Sequence, residues 1–366
     1  MAKATSGAAG RAGPFFEDFE PGQHIRHPIP RTLHGGDLSL YIGLTGDRRP
    51  LGSSTDFAQS LGFARELAHD LLAFHVVFGK SVGQISVNAI ANLGYADVRF
   101  RGAVYPGDTL RATSDVIGVR EASSRRAGVV YVTTRGLNQR DEEVLRFTRW
   151  VLVEKRDPSA PAPAAVVPDL PASVPAEELA PPWELNLDRF ADVMWATGGD
   201  ALWEDYEVGQ RIHHPGGMTI DETDHTTATR LYQNSARVHF DAHRMSSSPS
   251  GRRLVYGGHV MSVAYALAQA GLENVLLMAA WNGGVHANPT SAGDTIYAWS
   301  EVLERAELAH QPRLGALRLR LVAVKNTDPA VESVARVVTG EKGQAHDPRV
   351  VLVLDWWGLV PRRTLG

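Results

Sequence analysis

Two stretches far apart in this 366-residue chain are copies of each other, and no other feature restricts the fold as strongly. Phe16–Pro28 reads FEDFEPGQHIRHP and Trp203–Pro215 reads WEDYEVGQRIHHP, eight identities in thirteen positions at an offset of 203 − 16 = 187. PGDTL at Pro106–Leu110 returns as AGDTI at Ala292–Ile296, with Gly107 and Gly293 separated by 293 − 107 = 186. Anchors that keep their spacing to within one residue over so long a stretch mark a tandem duplication of one domain. Between the copies, Asp157–Pro182 holds eight prolines among many alanines. Such a segment stays extended and does not pack as a regular element.

Each copy predicts the same order of elements. Pro21-Gly22 and Val208-Gly209 form a turn into a short strand. Asp37, before LSLYIGLTG, and its mate Asp224, before HTTATRLYQ, are N-cap candidates for a first helix. A longer helix is expected to begin at a glycine, Gly79 in GKSVGQI and Gly258 in GHVMSVA. Runs of period two follow: YADVRFRG, TLRATSDVIGV, GVVYVTTRGLN and EVLRFTRWVLVE in the first half; GGVHANP, TIYAWSEVLE, ALRLRLVAVKN, ESVARVVTG and VVLVLDWWGLV in the second. Alternation of this kind marks half-buried antiparallel strands, and the long helix is the natural cover for their apolar face. The expected class is therefore α+β. Its divisions are a disordered tail at 1–13, a domain at 14–156, the linker at 157–182 and a second domain at 183–366.

Composition removes several functional classes. There is no cysteine, hence no disulfide, thiolate nucleophile or Cys-ligated metal. A net charge of −4 gives no basic surplus for nucleic acid. Only five of the 37 basic residues are lysine, and arginine forks suit carboxylate and phosphate partners. No run approaches the roughly 18 apolar residues of a membrane span, and the N-terminus has no apolar signal core. A cytoplasmic chain with no membrane or nucleic-acid partner is expected. No zinc motif of the form H-E-x-x-H occurs either.

A long helix followed by long antiparallel strands resembles the hot-dog fold, and one phrase sharpens the likeness. MaoC-like hydratases, also called R-specific enoyl-CoA hydratases, carry G-D-x-N-P-(apolar)-H. Thr45–Gly52, TGDRRPLG, matches at Gly46, Asp47 and Pro50 but has Gly52 in place of the histidine. Adding 187 reaches Asn234–Asp241, NSARVHFD, which keeps His239 but has Asn234 in place of the aspartate. The motif is split between the halves. The tandem double hot-dog arrangement, with ARVHFD and YGGHVMS at Ala236–Asp241 and Tyr256–Ser262, is similar to the mesaconyl-CoA (2-methylfumaryl-CoA) hydratases. The resemblance implies reversible addition of water to the C2–C3 double bond of a branched dicarboxylic acyl-CoA. Other enoyl-CoA or acyl-carrier hydratases and thioesterases share the fold.

That chemistry needs a base for water, a proton for the α-carbon and donors for the enolate oxygen. The motif position nominates His239 as base. Asn234 can bond water but cannot transfer a proton, so either His239 makes both transfers or Asp47 supplies a carboxylate from the other half. Asp241 is a further acid, or a cap for the following turn. Gly258, at a helix start, offers backbone N–H groups to the thioester oxygen, with Tyr256 and Gly257 beside it. Arg237 lies between Asn234 and His239 and suits the free carboxylate of the implied substrate; Arg48 and Arg49 occupy the matching stretch of the first half. The acyl-CoA thioester is then substrate, with no metal or other cofactor expected, and further pairing of copies into a homo-oligomer is anticipated.

Overall fold

The computed structural model describes residues 13–248, 250–340 and 343–363, so all but the last residue of the expected tail lies outside the described residues. The first half runs through β1 (His24–Arg26), β2 (Arg31–Thr32), α1 (Gly35–Thr45), the single turns α2 (Pro50–Ser53) and α3 (Thr55–Ser60), and the buried helix α4 (Asp70–Ser81). Four long strands follow: β3 (Ala89–Phe100), β4 (Thr109–Glu121), β5 (Ala127–Leu137) and β6 (Glu143–Glu154). The second half carries α5 (Phe190–Val193), β7 (Arg211–Thr219), α6 (Glu222–Leu231), α7 (Ala242–Met245) and α8 (Gly257–Leu267). Its strands are β8 (Leu277–Val285), β9 (Thr295–Glu307), β10 (Leu314–Lys325) and β13 (Val350–Pro361), with a small hairpin of β11 (Val337–Gly340) and β12 (Gly343–His346) before the last.

Eleven strands make one sheet in the order β1-β4-β5-β6-β3-β8-β13-β10-β9-β7, with β2 also on β4. The order reads alike from both ends once each strand is replaced by its copy. In the central β3–β8 pairing Ala96 lies opposite Gly283. Since 283 − 96 = 187, a residue there faces its own copy, and the pseudo-twofold axis passes through that pair. His75 Nε2 and Ser262 Oγ, also 187 apart, meet on the same axis at 2.8 Å. Each half is a helix wrapped by a bent antiparallel sheet, and the two sheets are continuous: the double hot-dog fold.

Burial explains the patterning. β4 hides every second side chain for most of its length, as a strand with one wet face must. Eleven of the twelve residues of α4 are buried, which is why DLLAFHVVFGKS has no polar face. That burial on all sides also corrects the expected helix start. α4 begins at Asp70, and Gly79 lies near its C-terminal end, where a Cβ would strike the Tyr232 carbonyl oxygen. Asp37 and Asp224 are the third residues of α1 and α6 rather than their N-caps. The Asp37 carboxylate reaches back to the His34 N–H at 2.9 Å and accepts from Arg31 at 2.6 Å. ESVARVVTG does not join the large sheet: both sides of β10 are taken by β9 and β13, so its end forms only the separate hairpin. β8 begins at Leu277, well before GGVHANP.

The proline-rich segment is mostly extended, but contrary to expectation it packs: it makes one 3₁₀ turn at Ala176–Glu178 and buries Val174 and Leu179 in the core. Val166 exchanges backbone hydrogen bonds with Val119 at 2.8 and 2.9 Å. The Val174 N–H donates to Asn282 Oδ1 at 2.7 Å, and its carbonyl accepts from the Trp357 indole at 3.0 Å.

The strongest repeated phrase has a packing cause. The ring of Phe16 lies against Gly128, and that of Trp203 against Gly315, with 315 − 128 = 187. A methyl group at either glycine would enter the ring. Gly128→Ala and Gly315→Ala should each destabilise the chain by about 1–3 kcal/mol through overpacking, read as a lowered midpoint of chemical unfolding. An unchanged midpoint would show that the aromatic lid is free to lift.

Candidate active site

A cavity of about 320 Å³ opens along the seam between the halves, within the range of small-molecule sites. The first half contributes Phe78, Ser86, Tyr95 and Arg149 to its wall; the second contributes Asn234, His239, Tyr256, Gly257 and His286. Local chain geometry sets each polar group. After α6, Gln233 takes a left-handed backbone with φ 55°, which turns the chain and leaves Asn234 buried. Asn234 Oδ1 accepts the Ala236 N–H at 2.9 Å, so its amide nitrogen is left to donate. One 3₁₀ turn, Arg237–His239, then brings in His239.

The His239 Nδ1 lies 3.0 Å from the Leu254 carbonyl oxygen. A carbonyl only accepts, so Nδ1 carries the proton and Nε2 is the bare nitrogen, the form a base requires. Burial pushes the imidazole down to about 4, against a smaller raising effect of the Leu254 carbonyl, so the ring is neutral at pH 7. Beside it, α8 starts at Gly257. The His259 and Val260 N–H groups return to the Tyr256 carbonyl at 2.8 and 3.3 Å. The N–H groups of Gly257 and Gly258 precede them and are the ones helix geometry leaves unpaired, at the positive end of the helix dipole. A Cβ at Gly257 would sit 2.6 Å from His286 Nδ1, and one at Gly258 would enter the rings of Tyr256 and His75.

Of the residues singled out in the sequence, Asn234, His239, Tyr256 and Gly257 border the cavity, whereas Gly258, Arg237 and Asp47 do not. Gly258 lies one residue behind the wall, and its glycine serves ring packing rather than close approach of an acyl group. Gly79, expected as its counterpart, is replaced in that role by Leu71, since 258 − 187 = 71. Arg237 is half-buried outside the lining. Asp241 caps α7 by accepting the Arg244 N–H at 3.0 Å. His259 stays in the core, 3.4 Å from the Tyr232 hydroxyl. GKSVG at 79–83 has the G-x-S-x-G spacing of a nucleophile elbow. Its Ser81, however, ends a helix and donates to the Phe78 carbonyl at 2.7 Å.

Asp47 does not reach the opposite site. It is fully buried in its own half, 2.9 Å from Arg49 Nη1 and 3.3 Å from His69 Nδ1. Burial alone would raise its carboxyl, but the Arg49 guanidinium and His69 outweigh that and hold it well below the usual carboxylate range. Arg49 also donates to the Tyr265 carbonyl at 2.7 Å and lies 3.6 Å over the Tyr265 ring. Adding 187 shows what changed. Arg49 stands for Ala236, Gly52 for His239, His69 for Tyr256 and Asp70 for Gly257. The first-half counterpart of the cavity is therefore occupied by a guanidinium, and a carboxylate sits where the free helix N-terminus should be.

Tyr95, His286 and Arg149 escaped the sequence reading because none lies in a repeated phrase. The Tyr95 hydroxyl and His286 Nε2 are 3.3 Å apart. Arg149 donates through Nη2 to the hydroxyls of Ser81 and Ser86 at 2.9 and 3.2 Å. A signal did exist for Arg149. It shares strand parity with the buried Phe147 and Val151, which places it on the apolar face.

The sequence matches the family model for mesaconyl-CoA hydratase over residues 4–342. The chain is 52% identical to β-methylmalyl-CoA dehydratase of Chloroflexus aurantiacus over 96% of its own length and 98% of the relative. It is 51% identical to mesaconyl-CoA hydratase of Cereibacter sphaeroides over 96% and 99%. Among solved structures, a MaoC domain protein dehydratase from Chloroflexus aurantiacus superposes with a TM-score of 0.90 at 51% identity, covering 98% of this chain and 100% of that one. The double-hotdog protein Rv0216 of Mycobacterium tuberculosis superposes at 0.77 with 25% identity, covering 96% and 99%.

Asp47→Ala leaves Arg49 buried without its counter-charge. Such a change is expected to cost about 3–5 kcal/mol of stability, measured by urea unfolding. A loss below about 1 kcal/mol would mean that Arg49 escapes to solvent and that the first-half space is not firmly closed.

Proposed function

The chain belongs to the mesaconyl-CoA hydratase family of double hot-dog, MaoC-like hydratases and dehydratases, and on that premise we propose that it is a hydro-lyase interconverting mesaconyl-CoA and β-methylmalyl-CoA. The observation that carries the reading within the fold is the bare His239 Nε2, the Asn234 amide and the unpaired Gly257 N–H at the start of α8, gathered at one cavity.

In the hydration direction the thioester oxygen takes the N–H of Gly257, the first residue of α8 and the one that lines the cavity. Water sits between His239 Nε2 and the Asn234 amide. His239 removes a proton as the water oxygen bonds to C3, and the π electrons move onto the thioester as an enolate. The helix N-terminus holds that charge where it develops. The imidazolium then delivers its proton to C2. Asn234 has no proton to exchange, and Asp47 is engaged elsewhere, so His239 makes both transfers. In this reading the coenzyme A thioester is the substrate and no resident cofactor takes part.

His239→Ala should lower kcat/KM by roughly 10²–10⁴-fold, the usual worth of a general acid–base group, followed as loss of the enoyl-thioester absorbance of mesaconyl-CoA. Turnover near the wild-type rate would remove His239 from the mechanism. Release of free coenzyme A instead of a hydroxyacyl product would replace the hydratase with a thioesterase.

The pH profile gives a separate check. Hydration needs neutral His239, and burial holds its imidazole at about 4. kcat/KM should therefore stay level as pH falls through 6.5, the ordinary histidine value, and drop only toward pH 4. An inflection near 6.5 would contradict the assigned base.

A further inference from the structure

Arg149 is fully buried, yet it has no acid beside it. Its guanidinium lies 4.2 Å over the Phe78 ring, and only Nη2 is hydrogen-bonded, to the hydroxyls of Ser81 and Ser86. Nε and Nη1 have no partner. The charged or ionisable neighbours that act on it are the phenols of Tyr95 and Tyr256, both neutral at pH 7. Among the other buried cations of the described residues, Arg49 is matched by Asp47 and Lys155 by Glu121, and Lys80 gives its ammonium to the Ile29 carbonyl and the Gln233 amide oxygen at 2.6 and 3.3 Å; Arg149 alone leaves two buried N–H groups without any acceptor. An unpaired buried ion is among the most unfavourable groups a fold can hold, so its persistence calls for an anion from elsewhere.

Its place in the fold indicates which anion. Arg149 and Ser86 form part of the cavity wall together with Asn234 and His239. Phe78, beneath the guanidinium, contacts the Tyr256 ring with centroids 5.7 Å apart, and Tyr256 in turn lies 5.5 Å from the His239 ring. The cation thus borders the catalytic end. The repeat sharpens this. β6 and β13 correspond with an offset of 350 − 143 = 207, so the copy of Arg149 is Trp356. The register agrees, because Arg149 pairs with Val132 and Trp356 with Leu319, and 319 − 132 = 187. Trp356 packs on Tyr265, the copy of Phe78, with ring centroids 5.2 Å apart. The charge is present on the side with the open cavity, and an indole replaces it on the filled side.

We propose that Arg149, held by Ser81 and Ser86, binds the free carboxylate of the substrate's acyl group and so selects a dicarboxylic acyl thioester over a monocarboxylic one. This rests on the hydratase reading above. In 2-methylfumaryl-CoA the carboxylate is attached to C3, the carbon that receives the hydroxyl, so the group that holds it must border the water site. Arg149 takes the part that the sequence suggested for Arg237.

The test compares wild type, Arg149→Met and Arg149→Lys on mesaconyl-CoA and on crotonyl-CoA, which lacks the carboxylate. Arg149→Met should lose roughly 10–150-fold in kcat/KM on mesaconyl-CoA, the worth of a hydrogen bond to a charged group, and at most a few-fold on crotonyl-CoA. Arg149→Lys should recover part of the selectivity. Equal losses on both substrates, as expected if Arg149 held a coenzyme A phosphate, overturn the proposal, and so does an unchanged ratio. Wild type alone gives a reading that needs no variant to fold: succinyl-CoA should inhibit at least about 10-fold more tightly than butyryl-CoA, and equal inhibition overturns the proposal. Failure of wild type to hydrate mesaconyl-CoA, with the succinyl preference intact and lost in Arg149→Met, would overturn the hydratase reading and uphold the role of Arg149.

Discussion

The antiparallel pairing of β3 with β8 is the contact on which everything else rests. Tyr95, Ala96, Val98 and Arg99 face Gly284, Gly283, Trp281 and Ala280. Either strand alone would be a sheet edge with unpaired backbone groups and an apolar face. Joining them removes both edges and brings the two central helices together, His75 against Ser262. The cavity follows from that meeting. Its reacting groups come from the second half, while much of its wall, including Phe78, Tyr95 and Arg149, comes from the first. Neither half encloses it alone.

Symmetry of backbone coexists here with asymmetry of chemistry. The turn that presents the motif residue is the same in both copies. Gly46 and Gln233 are both left-handed, and Asp47 and Asn234 each accept the N–H two residues on, at 3.1 and 2.9 Å. What differs is what fills the space. Arg49 in place of Ala236 occupies it, and Asp70 in place of Gly257 puts a carboxylate at the helix N-terminus, where it accepts the Met278 N–H. A developing enolate would meet repulsion there instead of a positive dipole.

Much of this was legible before any coordinates. The 187-residue offset carried the duplication, and period-two alternation marked the long strands closely; EVLRFTRWVLVE coincides with β6 from end to end. His239 and Asn234 were readable because the motif survives as sequence. Legibility failed where tertiary packing decides. The start of α4 was misplaced because a helix buried on all sides shows no amphipathic period. Arg149 was missed because a charge in a strand ordinarily points outward. The sequence leaves open whether Asp47 serves beside His239, because a pseudo-twofold axis says which residues are equivalent, not which are close; the structure places Asp47 on Arg49 and His69 instead.

The strap between the halves has an evolutionary and a kinetic consequence. In a dimer of identical chains every substitution appears on both sides of the axis, so a buried guanidinium would be matched by its image. Covalent linkage through the segment anchored at Val166 and Val174 lets one copy keep an arginine while the other takes a tryptophan. The linkage also fixes the local concentration of one half about the other. Dilution that would dissociate two separate subunits therefore leaves this seam, and the cavity within it, assembled.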